Sequence, residues 1–167
     1  MTGGTGAVGR YAVQLAKHGG ATVHATASTP DKHRSARAAG ADHVVDYRDP
    51  RAAGTIRDLT RPRGVDRVVD VAFGANLPLT TSVIATNGVI ATYGSDAAPE
   101  PVPPFYELMR RGVTIRLVSV YSMPAPAMRC AISDITRHLV QGSLTHPVAA
   151  RYSLERIVEA HGGCRSR

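Results

Sequence analysis

Thr2-Gly3-Gly4-Thr5-Gly6-Ala7-Val8-Gly9-Arg10 is the stretch that decides how the rest of the chain is read. Gly4, Gly6 and Gly9 make it a G-x-G-x-x-G. The first glycine of such a motif permits a tight turn from strand to helix. The second lets backbone N–H groups approach a pyrophosphate, and the third lets the new helix pack close to the sheet. A pyrophosphate then rests on the positive end of that helix. The motif alone is weak, so its context matters. Val8, Ala12, Leu15 and Ala16 fall at i, i+4, i+7 and i+8, one apolar face of a helix. Gly19 and Gly20 supply a left-handed stop, and Ala21 to Thr26 reads as a short strand. Glycines that open a helix leading into a strand are what a dinucleotide site requires.

Downstream, strand and helix keep alternating. Thr29-Pro30-Asp31 reads as an N-cap, a proline at N1 and an acid in the first turn, and the helix stops at Gly40. Ala41 to Tyr47 is the next strand. Asp49-Pro50 caps a helix carrying Ala53, Ile56 and Leu59, which Arg61-Pro62-Arg63-Gly64 ends. Val65 to Phe73 has the near-continuous apolar character of a buried parallel strand. Leu77 to Thr86 reads as helix, Asn87-Gly88 as a turn, and Val89 to Gly94 as a fifth strand. This alternation predicts βαβ units and a doubly wound, Rossmann-type α/β fold with a parallel sheet. Beyond it, 97–104 is proline-rich and extended, Phe105 to Arg111 a short helix, and Val113 to Tyr121 a long strand. Met128, Ile132, Ile135 and Leu139 mark a helix ending at Gly142. Thr145 to Tyr152 is a connector or short strand, and Ser153 caps a last helix through about Glu159.

The 167 residues suit one domain, and 43% hydrophobic content is enough for a core. No apolar run is long enough for a membrane span, and glycines occupy the place of a signal-peptide core. Two cysteines, Cys130 and Cys164, are too few for a disulfide framework and fit a reducing cytoplasm. The net charge of +7 comes mostly from arginines. They are scattered and lack interleaved aromatics, so no nucleic-acid partner is expected. Cys164 near His161 is a lone pair and Cys130 is isolated, so no metal site is expected.

Cofactor choice turns on the end of the second strand. NAD-binding units place an Asp or Glu there to bind the ribose hydroxyls. Here Ala27, Ser28 and Thr29 occupy that place, and Asp31 lies further on, in the helix start. Without the acid a 2′-phosphate is not repelled, and Lys32, with Arg34 as a second candidate, could attract it. The expected cofactor is NADP(H).

The run Gly3 to Gly9 followed by Tyr11-Ala12-Val13-Gln14-Leu15-Ala16-Lys17 resembles the cofactor domain of the medium-chain dehydrogenases/reductases. The branch it is most similar to is the zinc-independent NADPH:quinone reductases related to ζ-crystallin. Further matching stretches are Arg37-Ala38-Ala39-Gly40-Ala41-Asp42, Val44-Val45-Asp46-Tyr47-Arg48, Gly64 to Asp70, Asn87 to Ser95 and Tyr152 to His161. The resemblance implies that Thr5, Gly6, Ala7 and Val8 lie along the pyrophosphate. It implies that Ser28, Lys32 and Tyr47 surround the adenosine ribose and its 2′-phosphate. It brings Ala72-Phe73 and Gly94-Ser95 toward the nicotinamide, and makes the strand from Val113 to Tyr121 the pairing edge of a homodimer. The implied reaction is hydride transfer from NADPH to a quinone or an activated carbonyl or alkene.

Two departures from the family stand out. The strand that should run into the glycines is largely missing, and in the 3-2-1-4-5-6 order it is the central one. The end, Gly162 to Arg167, replaces a final strand. The dinucleotide domain is therefore expected to span 1–161, with 162–167 an irregular tail and the N-terminal substrate domain absent. No catalytic acid can be named. Two alternatives remain: a non-catalytic nucleotide-binding or dimerising remnant, and a short-chain reductase or epimerase. The second lacks a Tyr-x-x-x-Lys pair, since Lys17 and Lys32 are the only lysines.

Overall fold

The computed structural model describes residues 1–61, 63–148 and 150–165. Pro62 of the expected breaker, Ala149 of the expected connector and the Cys164 side chain lie outside that description. The elements in order are α1 (Ala7–His18), β1 (His24–Ala27), α2 (Pro30–Ala38), β2 (His43–Asp46), α3 (Ala52–Leu59), β3 (Val65–Asp70), α4 (Phe73–Val83), β4 (Ile84–Thr92), α5 (Phe105–Arg110), β5 (Thr114–Leu117), α6 (Ala125–Val140) and α7 (Ile157–Arg165).

Every strand pair is parallel. β1 pairs with β2, setting Ala27 opposite Asp46. β3, β4 and β5 form a second ladder, with Asp70 opposite Thr92 and Thr92 opposite Leu117. Met1 and Thr2 join the two ladders. The N-terminal ammonium donates to His24 O at 2.7 Å, and Thr26 N donates to Met1 O at 3.0 Å. On the other side Thr2 N donates to Val69 O at 3.0 Å. The lateral order is thus β2, β1, a two-residue stub, β3, β4, β5. Alongside the rest of β3 the sheet is split. A cavity of about 610 Å³, lined by His24, Ile56, Leu59, Val65, Val69 and Val83 among others, occupies the place of the central strand.

Small apolar groups fill the core on both sides of this split. Val13, Val23, Ala25 and Ala36 pack together against β1, and Val68, Phe73, Leu77 and Ile90 against β3 and β4. A third group, Val45, Ala52, Ile56 and Val83, packs around α3.

Local differences from the sequence-based expectation have physical reasons. The buried face of α1 is Gly9, Val13 and Gln14, and Val8 is 55% exposed. Gly9 must face inward because it packs on the Gly3 carbonyl, and this rotates the whole face by one residue. Asn87-Gly88 does not end a helix: β4 already begins at Ile84 and runs through them. Between the pairs Val65↔Ile84 and Arg67↔Val89 the register shifts, so the left-handed Asn87 marks a bulge. The strand expected from Val113 to Tyr121 is only Thr114–Leu117. After Val118 N bonds Thr92 O at 2.8 Å, β4 has turned away, with Tyr93 N on Asp70 O, and the ladder has no further acceptors. Residues 145–148 and 150–152 form no strand, and the final helix continues through Gly162 and Gly163 to Arg165 where an irregular tail was expected.

Candidate functional site

The glycine turn connects the Met1–Thr2 stub to α1. A Cβ on Gly9 would lie 2.1 Å from the Gly3 carbonyl oxygen, and one on Gly4 2.9 Å from the Ala25 methyl. Those two glycines are needed for close packing. A Cβ on Gly6 would meet only Gly3 O, at an ordinary 3.5 Å. Gly6 therefore leaves open the outer surface of the turn, where a ligand would approach. Gly6 is also the N-cap of α1, and no side chain caps that helix. The first-turn amides of an α-helix have no intrahelical acceptor, so Ala7, Val8 and Gly9 present donors with the helix dipole behind them. Gly6, Ala7 and Val8 are exposed and Thr5 is half-buried, so this face is open to a pyrophosphate.

The C-terminal ends of β1 and β2 carry the next group. Ser28 is buried beside Ala27. Lys32 is exposed in the first turn of α2, its backbone N on the Thr29 hydroxyl at 3.3 Å. Tyr47 is 49% exposed at the end of β2. The expected Ser28, Lys32 and Tyr47 thus stand at the ends of two adjacent strands. Sequence reading gave no role to two neighbours. His33 Nε2 lies 3.2 Å from Ala27 O. Arg48 donates to Ser28 O and grips Asp46, from its backbone N at 2.9 Å, Nε at 3.2 Å and Nη2 at 3.0 Å. The Arg48 backbone N–H, joined by its guanidinium, holds the Asp46 carboxyl below the usual carboxylate range.

On the opposite side of the split, Phe73 and Ser95 engage their side chains within the chain. The Phe73 ring is 5% exposed and packs on Val68, Leu77 and Ile90. The Ser95 hydroxyl accepts from Gly74 N at 3.0 Å and donates to Ala98 O at 2.5 Å. Gly94 O accepts from Phe73 N at 2.9 Å. Ala72 caps α4, its N on Asp70 Oδ1 at 2.9 Å. These residues tie the loops after β3 and β4 to each other, and what they turn outward is backbone. Asp70, also passed over, is fully buried. Its Oδ1 additionally accepts from the Thr2 hydroxyl and the Asn76 amide, both at 2.7 Å. Its only sequence signal was a carboxylate inside an apolar strand.

The donor set does not fit a zinc ion. Among the described residues no group of three or more His, Cys, Asp or Glu side chains is placed to hold a metal. A dinucleotide fits better: an uncapped helix start, a glycine turn without an obstructing Cβ, and basic groups where an adenosine ribose would lie.

Comparison with known proteins agrees with that geometry. The family model described as zinc-binding dehydrogenase matches residues 7–137. A 2-haloacrylate reductase from Burkholderia is 32% identical over 108 residues, covering 64% of this chain and 32% of that protein. A mycobacterial quinone oxidoreductase superposes with a TM-score of 0.89 at 27% identity, over 99% of this chain and 52% of that one. A mycobacterial protein solved in complex with NADPH gives a TM-score of 0.84 at 27% identity, over 99% of this chain and 53% of that one. The chain therefore spans about half the length of these solved structures. With most of its length matched by the family model and its fold superposing on such enzymes, the chain belongs to the zinc-binding dehydrogenase family of the medium-chain dehydrogenase/reductase superfamily.

Proposed function

We propose that the chain is the NADP(H)-binding half of an oxidoreductase that reduces a quinone or an activated alkene or carbonyl. The observation that carries this reading is the pairing of an open glycine turn with the ends of β1 and β2, where the carboxylate of Asp46 is held by Arg48. Bound NADPH supplies a hydride from its nicotinamide ring. The chain's own residues bind and orient it. The amides of the α1 start receive the pyrophosphate, with Thr5, Gly6, Ala7 and Val8 along it. Ser28, Lys32 and Tyr47 surround the adenosine ribose and its 2′-phosphate. The backbone at Ala72, Phe73, Gly94 and Ser95 lines the nicotinamide end. The protein works in the cytoplasm as a homodimer paired through the edge from Val113 to Tyr121. Among the described residues β5 has a strand neighbour on one side only, and Leu117 and Tyr121 are 78% and 99% exposed.

One observation favours a second reading, nucleotide binding without catalysis by these 167 residues. The Phe73 ring and the Ser95 hydroxyl at the nicotinamide end are both engaged internally. A thermal-shift titration with NADPH and NADH tests the first step, since a ligand stabilises a folded site by mass action. NADPH should raise the melting temperature more than NADH, and no response to either nucleotide overturns the proposal. Turnover of a quinone or 2-haloacrylate with NADPH by these 167 residues would overturn the second reading. The chain alone is expected to show little or none.

A further inference from the structure

Building on NADP(H) binding at this site, the geometry points to Arg48 as its selectivity residue, acting by taking the Asp46 carboxylate out of play beside the adenosine ribose. Ala27 stands where a ribose-binding acid is missing, yet its register partner on the adjacent strand is itself an acid, Asp46. A carboxylate one strand over, at the same level, is close enough to repel a 2′-phosphate or to accept from a 2′-hydroxyl. Asp46 does neither, because Arg48 covers it. Oδ1 accepts from both the backbone N and Nε of Arg48, and Oδ2 accepts from Nη2. The same guanidinium reaches across to the carbonyl of Ser28, the residue just after β1, so it bridges the ends of both strands. It is not buried in doing so. The Arg48 side chain is 59% exposed and that of Asp46 35%. A guanidinium has five donors, so a fork already holding a carboxylate keeps further N–H groups for a phosphate.

The surrounding charges point the same way. His33 stands beside the Ala27 carbonyl, and Lys32 lies in the first turn of α2. The nearby acid on that helix, Asp31, is itself paired with Arg34. Lys32 supplies a flexible point charge, whereas Arg48 both attracts phosphate and silences the one carboxylate that would oppose it.

The test is a set of dissociation constants for NADPH and NADH with the 167-residue chain and its Arg48→Ala, Arg48→Lys and Asp46→Asn/Arg48→Ala variants. Circular dichroism melts confirm that each is folded. For Arg48→Ala the preference for NADPH over NADH should fall at least tenfold. Arg48→Lys keeps a charge but loses the fork, and should fall between that variant and the parent. Removing the exposed carboxylate in the double variant should restore at least threefold of the lost NADPH affinity while leaving NADH unchanged or weaker. An unaltered preference in Arg48→Ala, an equal loss for both nucleotides, or no recovery in the double variant overturns the assignment. A parent chain that binds neither nucleotide overturns instead the NADP(H) reading on which it rests.

Discussion

Thr2 donates its hydroxyl to Asp70 Oδ1 over 2.7 Å, and the same hydroxyl accepts from Val71 N at 3.2 Å. This small network pins the stub before the glycine turn to the end of β3. Thr2→Val keeps the shape and removes both bonds, leaving Val71 N without its acceptor. The expected loss is about 1–3 kcal/mol in urea unfolding. Asp70→Ala also strands Ala72 N and the Asn76 amide, and should cost roughly 3–5 kcal/mol. The double variant should lose less than the sum of the two, because the sites share one network.

The three motif glycines should separate by function. Gly9→Ala drives a methyl into the Gly3 carbonyl, at 2.1 Å, and is expected to cost about 2–4 kcal/mol of stability. Gly6→Ala meets nothing closer than 3.5 Å, so its melting temperature should stay within a degree or two of the parent. Its methyl stands where a pyrophosphate would approach, and NADPH affinity should drop about tenfold or more, an energy of roughly 1.4 kcal/mol. Titration calorimetry beside a thermal melt reads both quantities. A Gly6→Ala chain that binds normally contradicts the placement of the pyrophosphate.

These contrasts show what the sequence discloses. The alternation of elements and the glycine turn were readable because they rest on short-range spacing. The gap in the sheet was readable too, since a known strand order tells which strand the glycines should follow. Asp70 was not, because two of its partners, Thr2 and Asn76, come from different elements. Arg48 was not, because its fork gains meaning only once parallel pairing brings Ser28 beside Asp46. The inward turn of the Phe73 ring was not readable either, since an aromatic at the C-terminal end of a strand has the same local pattern whether its ring turns inward or outward.

Lys32 is expected to act on the 2′-phosphate alone. It is exposed, and its side chain supports no part of the core. Lys32→Ala should weaken NADPH about tenfold, roughly 1.4 kcal/mol, and change NADH by less than twofold. The difference should shrink as salt is raised, because exposed charges are screened. Equal losses for both nucleotides refute the phosphate contact.

Acid should destabilise the chain from just below pH 8. Burial at the mouth of the slot lowers the N-terminal ammonium of Met1 from 8.0 to about 6, against a smaller opposing effect of Asp70. His24 is also lowered, first by burial, then by His43 and the N-terminus, with Asp42 opposing. Both groups bind protons more weakly folded than unfolded. Between pH 8 and 6 the unfolded chain therefore holds more protons, and stability falls as pH falls. Two units on Met1 correspond to about 2 kcal/mol across that window. Urea midpoints at pH 8.0 and 6.0 measure it, and acetylating the N-terminus should flatten the slope.

The slot beside β3 makes the sharpest prediction, because it tests the sheet rather than a single contact. Met1 and Thr2 already pair in parallel with β1 on one side and β3 on the other, so they fix the direction and register of any strand that extends them backwards. From the level of Val69 to that of Val65 is about 13 Å at ~3.3 Å per residue, which four residues span. Helices lie over the slot and its lining is largely apolar, so such a strand should be β-branched throughout. A chain preceded by Val-Ile-Val-Val should gain ladder bonds on both edges and bury four side chains worth about 1.5–3 kcal/mol each. Against this stands roughly 2–3 kcal/mol per residue for ordering the backbone and side chains. Burial and ordering nearly cancel, and the new ladder bonds, about 0.5–1.5 kcal/mol each, tip the balance toward a formed strand. Moving the N-terminus out of the cavity adds about 1.4 kcal/mol at pH 7. Together they should raise the melting temperature by roughly 5–10 °C for a domain of this size. Gly-Ser-Gly-Ser in the same place relieves the ammonium but fills nothing, and should give less. Equal melting temperatures for the two extensions would show that the sheet does not accept a strand there.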